Sequence, residues 1–234
     1  LVSPVPLQRW PNASTPGLAA PVSTGMLSLA FVISRPLNYP QWGDDESYKM
    51  QITATAINAL VCVIEAPTST GALRGLATLL QLLYRVPDPS TSDAALALFV
   101  PVGVTVQDAP SSTWRSLMID VARRFQPLEN LKRICTSMFY LKLNTLHLHL
   151  TDDQNWTFES FTWPRLHQVG SSVGRYYRQQ ELSSLVEHCA NLGIRVVPEL
   201  NFPGHCGAAL LAYPQLAPDH FPSAPISEWG VFDY

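Results

Sequence analysis

The sequence predicts an α/β protein in two parts, a small α+β domain followed by the first three βα units of a (β/α)8 barrel. Three observations predict it. After residue 115, strand-sized apolar runs alternate with segments of helical period, the pattern of parallel βαβ units. The runs are apolar on both faces, as a sheet covered by helices requires. Polar residues gather directly after each run, where a barrel builds its active site.

Taken in order, residues 1–25 are rich in Pro, Ser and Ala without periodicity and read as an extended arm. Residues 26–110 make the small domain. Leu27 to Ser34 is an apolar strand, Pro36 to Asp45 is turn chemistry, and Tyr48 to Thr55 and Ala59 to Glu65 are two more strands. Thr70 to Tyr84 follows the helical period, with Leu73, Leu76, Ala77, Leu80 and Leu83 on one face. Pro87 to Asp93 is a loop, and Pro110 to Thr113 marks the boundary.

Residues 111–234 form the barrel part. Ser116 to Val121 is a strand, Leu128 to Leu141 a helix, Asn144 to Leu150 a strand, Glu181 to Asn191 a helix and Ile194 to Glu199 a strand. Pro127 suits a first helical turn, and Gly193 suits the left-handed residue that ends a helix.

Composition excludes some functions. A formal net charge of -3 supplies no basic field for nucleic acid or anionic lipid. No apolar run reaches the length of a membrane span. The chain starts at Leu1, without a signal segment, and so reads as a mature or excised chain. Sequons at Asn12 and Asn155 are the glycosylation candidates, and they point weakly to a secretory or lysosomal route. Cys62, Cys135, Cys189 and Cys206 lack metal spacing. Buried free thiols are the plain reading, and no disulfide is assignable from spacing.

The chemistry-bearing residues lie after the strands. Asp152 and Asp153 follow His147-Leu148-His149-Leu150. The pair could bind hydroxyls, hold a histidine or cap the following loop. His147 and His149, at strand period two, point to one face, but no third ligand stands at motif spacing, so no metal is expected. Pro203-Gly204 turns the chain to present His205. Arg115 directly precedes the first strand, ordinarily the place of a boundary charge. Trp156, Phe158, Phe161, Trp163, Tyr176 and Tyr177 fill the loop after the second strand, to stack on sugars or to pack that loop.

These motifs resemble one family. Trp114-Arg115-Ser116-Leu117-Met118-Ile119-Asp120-Val121-Ala122-Arg123-Arg124-Phe125 is similar to the first barrel strand of family 20 glycoside hydrolases, the β-N-acetylhexosaminidases. Lys142 through Gln154 and Gly193 through His205 resemble its second and third strands, and Asp45-Glu46-Ser47-Tyr48 and Gly71 through Leu76 its preceding domain. The resemblance implies retaining hydrolysis of terminal β-linked N-acetylglucosamine or N-acetylgalactosamine, assisted by the substrate's acetamido group and without a cofactor. It implies that Arg115 binds sugar hydroxyls and that Asp152 or Asp153, with His205, supports the catalytic acid.

The family's Asp-Glu pair follows the fourth strand and is not matched before Tyr234. A second polypeptide, a processed remainder or a separate subunit, is therefore expected to complete the barrel, because three strands leave apolar edges open. The expected partners are that polypeptide and a glycan substrate, and the expected compartment is lysosomal or extracellular. The competing expectations are an inactive structural subunit of a larger assembly and, more weakly, a carbohydrate-binding module.

Overall fold

The computed structural model describes residues 26–36, 39–56, 59–87 and 96–217. The expected arm at 1–25, with Asn12, lies outside the described residues. In chain order the strands and helices are β1 Met26–Arg35, β2 Tyr48–Ala56, β3 Ala59–Thr68, α1 Ser69–Leu82, β4 Tyr84–Pro87, β5 Leu96–Phe99 and β6 Val104–Asp108. They continue with β7 Ser116–Asp120, α2 Leu128–Tyr140, β8 Thr145–His149, β9 Thr151–Asp152, β10 Asn155–Trp156, α3 Arg165–Gln168, α4 Gln179–Asn191, β11 Arg195–Glu199 and α5 Gly207–Ala212.

The first sheet has the order β1-β3-β2-β6; β1 runs parallel to β3, and β2 is antiparallel to both its neighbours. Its strands alternate as a one-sided sheet must: Met50, Ile52, Cys62 and Ile64 are fully buried. β6 was not evident from the sequence, and neither was the β4–β5 ribbon.

Helix α1 covers that sheet and joins it to the next layer. Thr68 caps its start by accepting from the Gly71 backbone N–H at 3.1 Å. One side packs Ala72 and Leu79 into the first core, while Leu73, Ala77 and Leu80 face the core beneath α2 and α4. The helix ends at Leu82, earlier than its period suggests, because the chain from Tyr84 enters β4.

The second sheet has the order β11-β8-β7, all parallel, in register at Ser116–Thr145–Arg195 and at Asp120–His149–Glu199. Leu146 and Leu148 point into the apolar layer shared with Leu131, Cys135, Met138, Leu185 and Cys189 of the helices. The alternate residues Thr145, His147 and His149 therefore take the opposite face. Gly193, at φ +69°, turns α4 into β11, as expected of a helix-ending glycine.

The lower, N-terminal ends of these strands are keyed to the first domain. Glu46 accepts from Arg74 Nε at 2.6 Å, Arg115 Nη2 at 2.5 Å and Asn144 Nδ2 at 2.7 Å. Arg74 reaches on to the Gly193 carbonyl at 2.6 Å. The buried Glu46–Arg74 pair thus ties α1 to the starts of all three parallel strands. Burial pushes the Glu46 carboxyl up, but the Arg74 charge and the hydrogen bonds from Arg74, Asn144 and Arg115 outweigh it and hold the group below its ordinary range.

Candidate active-site rim

The upper ends of the strands carry a connected polar cluster. Asp120, at the end of β7, accepts from the backbone N–H groups of Ala122 and Arg123 at 3.1 and 3.0 Å, which folds the following turn back over the sheet. That turn presents Arg123, whose guanidinium meets Asp120 at 2.7 Å and Asp152 at 2.6 Å. Asp152 is 1% exposed. A carboxylate that buried needs charge-assisted partners, and it has several. Besides Arg123 these are His149 Nε2 at 2.9 Å, His205 Nδ1 at 3.3 Å and Asn201 Nδ2 at 3.4 Å.

His149 Nδ1 faces Glu199 Oε1 at 2.9 Å, and His147 Nε2 faces Glu199 Oε2 at 2.8 Å. The two histidines do share a face, and Glu199 is the group that joins them. His205 stands at the rim with its side chain 48% exposed and a left-handed backbone, φ 54°. A histidine in that conformation is held by its surroundings rather than by its own preference.

Asp153 has a second occupation. Its Oδ1 accepts from the Gly207 backbone N–H at 2.9 Å and anchors the start of α5, while Oδ2 lies 3.4 Å from His205. Asp153 thus anchors α5 from across the fold rather than capping the adjacent loop, and Asp152 sits at the centre of the rim cluster. Asp152, Asp153 and His205 place ligand-type atoms within 4.8 Å of one another. With Arg123 bound to Asp152, the local arrangement is that of an ion-pair network around a cation already supplied by the chain.

Arg115 does not join this cluster. It lies at the other end of β7, about 16 Å of extended chain from Asp120. There its guanidinium binds Glu46, the Lys142 carbonyl at 2.9 Å and the Ser112 carbonyl at 2.6 Å. The structure thus places Arg115, the expected sugar-binding residue, away from the rim, where it joins Glu46 to the start of β7, and Arg123 is the arginine among the rim carboxylates. The sequence contained the signal, since an arginine just beyond a strand's C-terminal end reaches the rim and one just before it does not.

The sequon at Asn155 falls on a buried position. Asn155 is 4% exposed and its Oδ1 accepts from the Ser172 backbone N–H at 2.7 Å, so the side chain is closed to a glycan in this fold. The aromatic residues of the same loop divide. Tyr177 is 1% exposed, stacks on Phe125 at 4.6 Å and donates to the Gln126 carbonyl, and burial pushes its hydroxyl pKa up. Phe161 and Trp163 remain exposed.

A family model described as "Glycosyl hydrolase family 20, catalytic domain" matches residues 113–231, and one described as "beta-acetyl hexosaminidase like" matches residues 23–82. The chain belongs to glycosyl hydrolase family 20. Among curated family 20 relatives, a Porphyromonas gingivalis "Beta-hexosaminidase" is 39% identical over 171 residues, which is 69% of this chain and 22% of that protein. A Rattus norvegicus "Beta-hexosaminidase subunit alpha" is 30% identical over 198 residues, 84% of this chain and 35% of its own length. The solved Flavobacterium johnsoniae chitobiase superposes with a TM-score of 0.68 at 37% identity, covering 80% of this chain and 26% of that one. A Streptomyces plicatus N-acetyl-β-hexosaminidase in complex with Thio-NAglucal gives 0.68 at 30% identity, over 87% of this chain and 40% of that one. The chain thus spans about a fifth to a third of the length of these curated family 20 relatives. Among its described residues no helix is long and apolar enough to cross a membrane.

Proposed function

We propose that this chain is the sugar-holding and acid-supporting part of an exo-β-N-acetylhexosaminidase that releases terminal β-linked N-acetylglucosamine or N-acetylgalactosamine with retention. The observation that carries the reading is the line Arg123–Asp152–His205 across the strand ends. Arg123 offers fixed cationic donors for sugar hydroxyls. Asp152, held between Arg123 and His149, fixes the ring of His205, and His205 presents its exposed edge to whatever acid works above it.

The bond-breaking step follows the substrate-assisted route. The acetamido oxygen of the sugar attacks the anomeric carbon, an Asp orients the acetamido group, and the neighbouring Glu protonates the leaving oxygen and then activates water. That Asp-Glu pair comes from a segment completing the (β/α)8 barrel, either a second polypeptide or further sequence of the same protein. Supporting this, β7 and β11 are the outer strands of their sheet among the described residues, and Leu117 and Met118 of β7 are exposed. No cofactor enters the route. Two rat relatives are named as subunits, alpha and beta, which supports association with a further chain, and we assign a lysosomal or extracellular compartment as the one that suits the substrate.

The test is complementation. The chain is assayed with a chromogenic N-acetylglucosaminide alone and after co-expression with the barrel remainder of a relative. Activity in the complemented sample, lost on Asp152→Asn, supports the reading. Full activity of this chain alone would sink the shared-site account. A stable but inactive complex that binds no N-acetylglucosamine would move the assignment to a structural subunit.

A further inference from the structure

Helices α2 and α4 lie side by side over the parallel sheet, and each brings one cysteine to the seam. Cys135 of α2 and Cys189 of α4 are both 0% exposed, and their sulfur atoms are 2.9 Å apart. That spacing is far inside ordinary sulfur contact and about 0.9 Å longer than a covalent S–S bond. The pair sits in the apolar layer with Leu131, Met138 and Leu185. The remaining cysteines are committed elsewhere: Cys62 belongs to the core of the first domain, and Cys206 donates to the Pro203 carbonyl at 2.7 Å.

We propose that Cys135 and Cys189 are a disulfide pair, a covalent clip between the two barrel helices that closes under oxidising conditions. Either sulfur can be the donor of the hydrogen bond between them, and the exchange runs equally from either side, here from Cys135. Its thiolate displaces one thiolate from a small-molecule disulfide such as oxidised glutathione and forms a mixed disulfide. Cys189, once deprotonated, then attacks the Cys135 sulfur and expels the second thiolate. The two cysteines lose two electrons, the glutathione disulfide gains them, and the two thiol protons end on the departing thiolates. Because both sulfurs are buried, the exchange takes place during folding or local opening of the helix pair.

The two cysteines lie 54 positions apart, so the closed ring is a long loop for the unfolded chain to be denied. The full chain is refolded in a glutathione redox buffer, its free thiols are alkylated, and it is digested without reduction. Expected are two protected thiols of the four, and a linked peptide pair carrying Cys135 and Cys189 that is lighter by two hydrogens. Reduction should lower the melting temperature by roughly 5–15 °C. A Cys62→Ala/Cys206→Ala double variant should keep the linkage, and Cys189→Ala should remove it while leaving Cys135 alkylatable. Four alkylatable thiols in the oxidised sample, or Cys135 linked to Cys62 or Cys206, would overturn the proposal.

Discussion

Arg74 and Glu46 meet at 2.6 Å with side chains 2% and 6% exposed, a buried ion pair on which both domains converge. Removing one partner strands the other. Glu46→Ala leaves the Arg74 guanidinium buried without its counter-charge and takes a hydrogen bond from Arg115 and Asn144. A loss of about 3–5 kcal/mol is expected, read as a lower urea midpoint. Replacement by Gln should cost less, because it keeps acceptor capacity.

Acid should weaken the same joint. Glu46 titrates below its ordinary value of 4.5 in the folded state because Arg74, Asn144 and Arg115 together overcome its burial. A depressed carboxylate contributes stability that is fully present above the unfolded pKa and is lost as pH falls through the folded one. Urea midpoints measured from neutral pH downward should decline below about pH 4.5, and Glu46→Gln should flatten that decline.

The two arginines flanking β7 should separate in their effects. In the complemented enzyme, Arg123→Ala is expected to cost about 10²–10³ in kcat/KM, the cost of deleting one preorganised donor. Arg115→Ala should instead lower the unfolding midpoint and leave KM for the sugar unchanged. Steady-state kinetics beside thermal melts tests both. Equal kinetic losses from the two would contradict their placement at opposite ends of the strand.

Gly75 marks where α1 is closest to its own sheet. A Cβ there would lie 2.6 Å from Ile64 Cγ2 and 3.1 Å from Tyr48 Cδ2. Gly75→Ala should therefore destabilise by about 1–3 kcal/mol, although alanine favours helices elsewhere. A gain in melting temperature would show that the helix can lift away.

Glycan occupancy gives a further check. Expressed through a glycosylating secretory host, the folded protein should carry no glycan at Asn155, because a glycan there would deny the side chain its buried place against Ser172. Mass mapping of that peptide decides it, and full occupancy would mean modification precedes folding of the β9–β10 turn.

The parallel part was legible because its signals are local. β8 and β11 read as buried runs, and Gly193 announced the end of α4. The first domain was less so. β6, Val104–Asp108, alternates weakly and gains its identity by pairing with β2, more than 45 residues earlier. Site residues were legible as types but less so as positions. Asp152 and His205, each framed by turn chemistry, do come together at the strand ends. Arg115 stands just before β7 and Arg123 just after it, and adjacency to a strand does not by itself say which partners a side chain meets at that end of the sheet. Glu199 as the bridge between His147 and His149 depends on the register of β8 with β11, which no single segment encodes.

The carboxylate of Glu46 also has an order in time. Residues 46 and 74 leave the ribosome before Arg115, Asn144 and Gly193, so the first domain can be standing when each later strand arrives. Every arriving strand then finds the same fixed mark at which to begin. Synthesis from the amino end thus doubles as an alignment jig: the earlier-made part measures out where the parallel layer starts, and the rim follows at one strand's length above it.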